Sequence, residues 1–559
     1  MVRQLQDCFR LFVAPNADRN VQSKMSTFTP ESTEEPFAEQ SLNHEHTQPA
    51  ADLTGRDRLV SNVLLNWGAE SVFIVAGFIM PRMIDRRLGQ ELLGVWDFSW
   101  SLVNYFGLIR AAIGSSVNRY VARYWAARDI SGVNHIVSSA TCILGAGGLL
   151  VMALTVAFSL LLPQLFSNRL GENIAEAQWV VFFLGVSLGV QISFSGLSGV
   201  LTGCHQWGLH NINTSGWYAA TVAGMIVALL LGGRLWSLAA ITFAGEVLAS
   251  ARRLILAHRV CKGLRLQPSL VRWQTIKKLF SFGGKTLLPS VSNLLLNQTT
   301  SILILAYLGP AALALYSRPR SLMYHVQTLV GKMAMTLTPT ISSLQSTGNL
   351  GEIRELAIKS ARYSFYMALP MVLMLIVFGS SIMQLWMGPR YADGLVPAIL
   401  ATGHIAVLVH WPALCILAGL NAHGRAGAAR FVASLCSVGL NVLVLAYLKW
   451  GLVGTAVAVT LPLTIVNVVD IPLLICRRVG LNVKRYFLSV AVGPVLHTLP
   501  FAACLVGARL VFQTNPLTGL AVGGATGGAV LAVLYWRYVI PDQIKTRWFH
   551  WTGMRRSVA

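Results

Sequence analysis

Asn62, Asn66 and Glu70 stand at i, i+4 and i+8 inside an otherwise apolar stretch, and Asn293, Asn297 and Ser301 repeat the spacing in a second one. On a helix this spacing puts each set along one face. Polar faces on apolar helices either hydrogen-bond to neighbouring helices or line a cavity. The cations narrow the chemistry. Arg110, Arg318, Arg320 and Lys332 also lie in apolar runs, with Arg318 and Arg320 flanking Pro319. A charge at the centre of a bilayer costs about 2.5–3.5 kcal/mol on the insertion scale, so such residues usually face a cavity. Four cations in two helices make a basic interior. That suits an anionic group such as a phosphate, which arginine grips through two parallel hydrogen bonds. Snorkelling to lipid headgroups is the competing account, strongest for Lys285 and Arg509 near helix ends. Glu70, Glu246 and Asp470 are acids at comparable depth. Each can neutralise a cation or carry a coupling ion. His404 and His410 are six residues apart and share no helical face, which fits separate packing roles.

The elements that must position these groups are helices. The chain of 559 residues is 54% hydrophobic and 12% charged, with a mean hydropathy of +0.58. A soluble protein carries about 25% charged residues. Fourteen apolar runs are long enough to span a bilayer. They lie near 60–80, 94–117, 133–162, 176–202, 208–232, 235–256, 284–308, 313–337, 359–387, 394–420, 424–448, 451–476, 486–511 and 516–538. The expected fold is an all-α integral membrane protein. Residues 1–58 hold nine of the 22 acidic residues and no sustained apolar run. They read as a disordered cytoplasmic tail without the apolar core of a signal peptide. Either Met1 or Met25 can be the start.

The net charge of +22 reflects topology. With both termini cytoplasmic, the cytoplasmic loops and helix ends of residues 59–559 hold 25 Lys and Arg against seven on the opposite side. This is a strong positive-inside bias. The basic surplus then meets anionic lipid heads, and no compact basic domain suggests nucleic acid. The eight cysteines form no CxxC pair. No metal-ligand spacing, phosphate-binding loop or nucleophile elbow occurs, so neither cofactor, metal nor catalytic residue is expected, and an enzyme is disfavoured.

The chain repeats itself. Val60-Ser61-Asn62-Val63-Leu64-Leu65-Asn66 returns as Val291-Ser292-Asn293-Leu294-Leu295-Leu296-Asn297. Leu88-Gly89 then matches Leu308-Gly309, Ser101-Leu102 matches Ser321-Leu322, and Leu201, Gly203 and Gly208 match Leu417, Gly419 and Gly424. The offset moves from 231 to 220 to 216, which puts insertions in loops. The expected organisation is a first lobe of six spans over 59–260, a cytoplasmic amphipathic linker over 261–283 and a second lobe over 284–483. Two extra helices over 484–541 and a basic tail over 542–559 follow. Six helices per lobe is an even number, so the lobes are related by a pseudo-two-fold axis along the membrane normal. Leu264, Leu266, Leu270, Trp273, Ile276 and Phe280, set among basic residues, suit a linker lying on the inner leaflet.

Several segments in this order resemble the polysaccharide and lipid-linked oligosaccharide flippases of the multidrug/oligosaccharidyl-lipid/polysaccharide exporter superfamily. They are Leu88-Gly89…Gly94-Val95-Trp96, Leu308-Gly309-Pro310…Tyr316-Ser317-Arg318-Pro319-Arg320, Leu337-Thr338-Pro339 with Gly348-Asn349-Leu350, and Leu385-Trp386-Met387-Gly388 with Tyr391-Ala392. The resemblance covers roughly 60–540. It implies a bacterial cytoplasmic membrane protein of two six-helix lobes. It also implies alternating access that carries an undecaprenyl-diphosphate-linked glycan outward, with cleft cations on the diphosphate. A glycan polymerase or export machinery is an implied partner. The competing readings are a cation-coupled drug or metabolite antiporter of the same superfamily, and a non-transporting scaffold of a glycan-assembly complex. A scaffold gains nothing from charges at membrane depth.

Overall fold

The structure is a computed structural model describing residues 59–284, 287–335, 337–346, 348–542 and 545. The expected tail over 1–58 and most of the one over 542–559 lie outside the described residues. The described residues form helices and short connections, with no strand among them. The first half contains α1 (Leu59–Leu88), α2 (Gln90–Phe106), α3 (Leu108–Ala126), α4 (Ile130–Leu170), α5 (Ile174–Gly203), α6 (Trp207–Leu230) and α7 (Leu235–Val260). The linker contributes α8 (Trp273–Gly284). The second half contains α9 (Leu287–Leu294), α10 (Thr300–Leu308), α11 (Pro310–Met335), α12 (Leu337–Ser346), α13 (Leu350–Met387), α14 (Leu395–Gly419), α15 (His423–Val442), α16 (Gly451–Ile465) and α17 (Ile471–Val479). Then come α18 (Val483–Val511) and α19 (Pro516–Leu534), which pack on each other and on α13. Five-residue π-turns, Leu295–Thr299 and Val466–Asp470, join α9 to α10 and α16 to α17.

Nine helical stretches among the described residues are long and apolar enough to cross a membrane. One of them, Ile130–Gly203, holds both α4 and α5. The helices α1, α3, α7 and α11 are not among the nine, and they carry Glu70, Arg110, Glu246, Arg318 and Lys332. Part of the candidate site is thus borne by helices outside the nine, and part, with Asn293, Asn297 and Asp470, by helices among them. Large apolar side chains stand exposed along the outer faces, including Leu149, Leu160, Leu231, Val511 and Val533. That is the surface expected of helices solvated by lipid tails.

The turns recur at the spacing of the sequence repeat. Gly89 (φ +95°) precedes α2 and Gly309 (φ +88°) precedes α11. Both lie in a region that glycine enters without steric cost. Arg128 and Gly348 are each left-handed, and Asp129 and Asn349 follow as N-caps that accept from Gly132 N (2.8 Å) and Glu352 N (3.2 Å). Such caps satisfy amides that the first turn of a helix leaves free. His205 and Asn421 are left-handed too. The amide of Gln206 bonds Leu201 O, and that of Ala422 bonds Leu417 O, each at 2.8 Å.

The linker is helical only in part. Only Trp273–Gly284 is a regular helix of some length. The preceding stretch is strapped to α4 by Asn134, which donates to Gly263 O (3.0 Å) and accepts from Arg265 N (2.9 Å). His135 bonds Leu270 O at 2.9 Å, and Ser116 of α3 donates to Leu279 O at 2.9 Å. The Arg265 amide, given to Asn134, is not free to close a helical turn. We call this end of the bundle the linker end and the opposite one the loop end.

The core shows how the halves meet. One buried cluster joins them at the loop end, with Met80 and Ile84 of α1, Leu93 and Phe98 of α2, Leu313 and Tyr316 of α11, and Trp386 and Tyr391. Toward the linker end each half has its own cluster. Val117, Val133 and Leu279 belong to one, and Ile341, Ile353 and Ile475 to the other.

Candidate functional site

At the loop end the seam between the halves is shut. Gly94 of α2 lies against the backbone of Pro310, and a Cβ placed on it would fall 1.9 Å from Pro310 O. Arg82 donates to Leu385 O (2.6 Å), Trp386 Nε1 to Phe78 O (2.8 Å) and Tyr391 Oη to Asp85 Oδ1 (2.6 Å). Burial first, and then the Asp85 carboxylate, push the Tyr391 phenol well above its ordinary range. It therefore remains a neutral donor. Phe78 stacks on His325 of α11 with centroids 5.3 Å apart.

Deeper in the seam, Arg318 of α11 forms an ion pair with Asp97 of α2, through both carboxylate oxygens. The two side chains are 5% and 15% exposed. Lys332, nearer the linker end of α11, pairs with Glu70 of α1 at 2.8 Å, each about one third exposed. Glu70 is thus neutralised by a predicted cation of the other half. Arg320 is turned onto its own half. Its Nη1 donates to Asn297 O at 2.8 Å and lies 3.3 Å from Ser301 Oγ. Asn297 O also accepts from the Thr300 amide and, at 3.0 Å, from Ser301 Oγ. Asn297 donates Nδ2 to Asn293 O at 3.0 Å, and Asn293 is exposed. Tyr105 of α2 bonds Thr299 in the same turn, a further tie between the halves. Asn62 and Asn66 lie in α1, but their side chains are outside the described residues.

Arg110 of α3 is exposed, and its Nη1 donates to Gln191 Oε1 of α5 at 3.0 Å. Gln191 passes its amide on to Glu246 of α7 at 3.2 Å, and Glu246 also meets Ser250 (3.0 Å) and Arg253 (3.5 Å). Asp470 pairs with Arg425 at 3.1 Å within the second half. The structure therefore joins Glu70 to Lys332 and Arg320 to Asn297, and reaches Glu246 from Arg110 through an amide. It leaves Asp470 apart from the predicted cations. Both His404 and His410 bond a carbonyl of their own helix.

Asp97, Gln191, Arg253 and Asp85 were not singled out from the sequence, and Tyr391 only as part of a family segment. For Asp97 a signal existed. It follows the repeated Gly94-Val95-Trp96 segment, and the repeat offset of 220 matches it to Ser317, beside Arg318. An acid and a base at equal depth on repeat-related helices are candidates for a pair. Of the predicted cations, Arg318 and Lys332 have carboxylates on them and Arg320 a carbonyl. Arg110 meets a neutral amide, which leaves its charge available to an anion.

Comparison with known proteins bears first on the fold. The fold matches the lipid II flippase MurJ in an inward closed conformation, with a TM-score of 0.65, 11% identity, and 86% of this chain and all of that one covered. It also matches a multidrug resistance MATE family transporter of the MOP superfamily, inward-facing, with a TM-score of 0.64, 14% identity, and 74% and 95% covered. The family model for polysaccharide biosynthesis proteins matches residues 131–395. An uncharacterized membrane protein, EpsK, of Bacillus subtilis (strain 168) is 22% identical over 449 residues, 77% of this chain and 86% of its own. A putative O-antigen transporter of Shigella flexneri is 22% identical over 342 residues, 57% and 77% of the two chains. The fold is shared with these two solved transporters, and the polysaccharide biosynthesis family model matches just under half of the chain.

Proposed function

We propose that the chain is a membrane flippase that moves a lipid-linked oligosaccharide from the cytoplasmic to the outer leaflet by alternating access. The carrying observation is that the halves share one core at the loop end and keep separate cores toward the linker end. The ion pairs Asp97–Arg318 and Glu70–Lys332 cross the seam between them. In this reading fourteen crossings, counting α2–α3, α9–α10, α11–α12 and α16–α17 as one each and leaving out α8, form two six-helix lobes with α18 and α19 outside the repeat. The linker end is cytoplasmic, so the conformation is closed on the outer side. The exposed Trp273, Phe280, Lys277 and Lys278 of α8 support a place at the inner headgroup layer. Arg110 receives the diphosphate of an undecaprenyl-linked glycan. Arg318 and Lys332 become available in turn as their seam pairs open. A cationic substrate would need free acids, whereas Glu70, Asp97, Glu246 and Asp470 each face a base.

The test is complementation of an export-deficient strain at matched protein level. Arg110→Ala should abolish glycan export. Arg110→Lys should retain part of it, because charge survives and the two-pronged grip does not. Wild-type output from Arg110→Ala would remove Arg110 from the site.

A further inference from the structure

The network behind Arg110 has a fixed polarity. An arginine only donates hydrogen bonds. Gln191 therefore presents Oε1 to Arg110 at 3.0 Å and must turn Nε2 to Glu246 Oε2 at 3.2 Å. Glu246 is held from its far side. Ser250 Oγ donates to Oε1 at 3.0 Å, and Arg253 Nη2 stands 3.5 Å from the same oxygen. Arg253 is 5% exposed and also donates Nη1 to Ser250 at 3.3 Å. The one acid of α5, Glu176, is engaged elsewhere with Arg234. Three helices, α3, α5 and α7, thus converge on one carboxylate with a cation on each side. One cation is buried and in direct contact. The other is exposed and kept one amide away. The group carries a single surplus positive charge, and Arg110 is its exposed cation. The seam pair Asp97–Arg318 shows the contrast, because there the carboxylate touches the guanidinium.

We propose that Gln191 and Glu246 are positioning residues that set how tightly Arg110 holds the anionic group of the substrate. This rests on the reading of Arg110 given above. Gln191 aims the guanidinium, and Glu246 lowers the positive potential there without covering it. An anion is then held firmly enough to load and loosely enough to leave. A carboxylate one side chain away weakens anion binding by a Coulomb contribution worth roughly three- to tenfold in affinity at an intermediate dielectric.

The experiment uses the full chain in lipid nanodiscs. The probe is a short-chain prenyl diphospho-hexosamine, titrated by calorimetry, and glycan export in cells is measured in parallel. Glu246→Gln preserves the shape and removes the charge. It should bind the probe roughly three- to tenfold more tightly than wild type and export more slowly, since release is impeded. A merely structural Glu246 predicts weaker binding instead. Gln191→Glu, made together with Glu246→Gln so that two carboxylates do not face each other, moves the one acid directly onto Arg110. It should lower binding to the level of Arg110→Ala while keeping the wild-type melting temperature. Unchanged or weaker binding in Glu246→Gln, or wild-type binding in the double variant, overturns the proposal. Loss of binding in Arg110→Ala alongside those results leaves the substrate reading intact. Wild-type binding by Arg110→Ala sinks that reading first.

Discussion

The Asp97–Arg318 pair tests how charge is tolerated inside this bundle. Removing one partner of a buried pair leaves an uncompensated ion and costs about 3–5 kcal/mol, whereas removing both is far cheaper. Asp97→Ala and Arg318→Ala should each lower the melting temperature in detergent, and the double variant should lie closer to wild type than either single one. Losses that simply add would show that the two groups do not depend on each other. The pair also marks what the sequence withholds. Depth alone pointed to Arg318, and its chemistry was legible from an arginine in an apolar run. Its partner stands 221 positions away, and no spacing rule on one helix reaches that far. Gln191 was harder still. It is uncharged, and a glutamine in an apolar helix looks the same whether it bonds a neighbour's backbone or orients an arginine.

Helices were read more easily than their interruptions. Leu-Gly before α2 and α11, and Asp129 and Asn349 as caps, are local signals that the structure repeats in its hydrogen bonds. The expected span over 94–117 instead divides into α2 and α3 at Gly107, whose amide bonds Asn104 O at 3.1 Å in a tightened turn. No proline stands there, and a glycine within an apolar run does not by itself announce a break. The π-turn at Leu295–Thr299 is hidden for a similar reason. It widens one turn without changing which residues are apolar. The contact of α2 with the start of α11 has a sharper consequence. Gly94→Ala puts a methyl group onto Pro310 O, which is backbone and has little room to yield. The substitution should part α2 from α11 and shift the population toward opening at the loop end. The readout is labelling of Ala314→Cys, buried at that contact, by a membrane-impermeant maleimide added from outside. Labelling as low as in the parent with Gly94 intact would mean that this contact does not hold the end shut.

For the molecule as a whole, the repeat was legible in the sequence but the conformation was not. The closing contacts at the loop end, such as Arg82 with Leu385 O, describe one station of a cycle that a single sequence must serve throughout. Nothing in residue order says at which station the halves rest. The strapping of the linker carries a consequence of a different kind. Asn134, His135 and Ser116 tie residues 263–279 entirely to the first half. A gene interrupted between the codons for Gly284 and Leu287 would therefore encode two polypeptides, each retaining its own local scaffold. Co-produced in one cell, they should reassemble through the shared loop-end core and restore export that neither fragment supports alone. Two fragments stably present in the membrane yet inactive together would mean that the covalent join contributes more than proximity. If they do reassemble, a bipartite version becomes a practical tool, because each half can then carry its own label or mutation and be exchanged independently of the other.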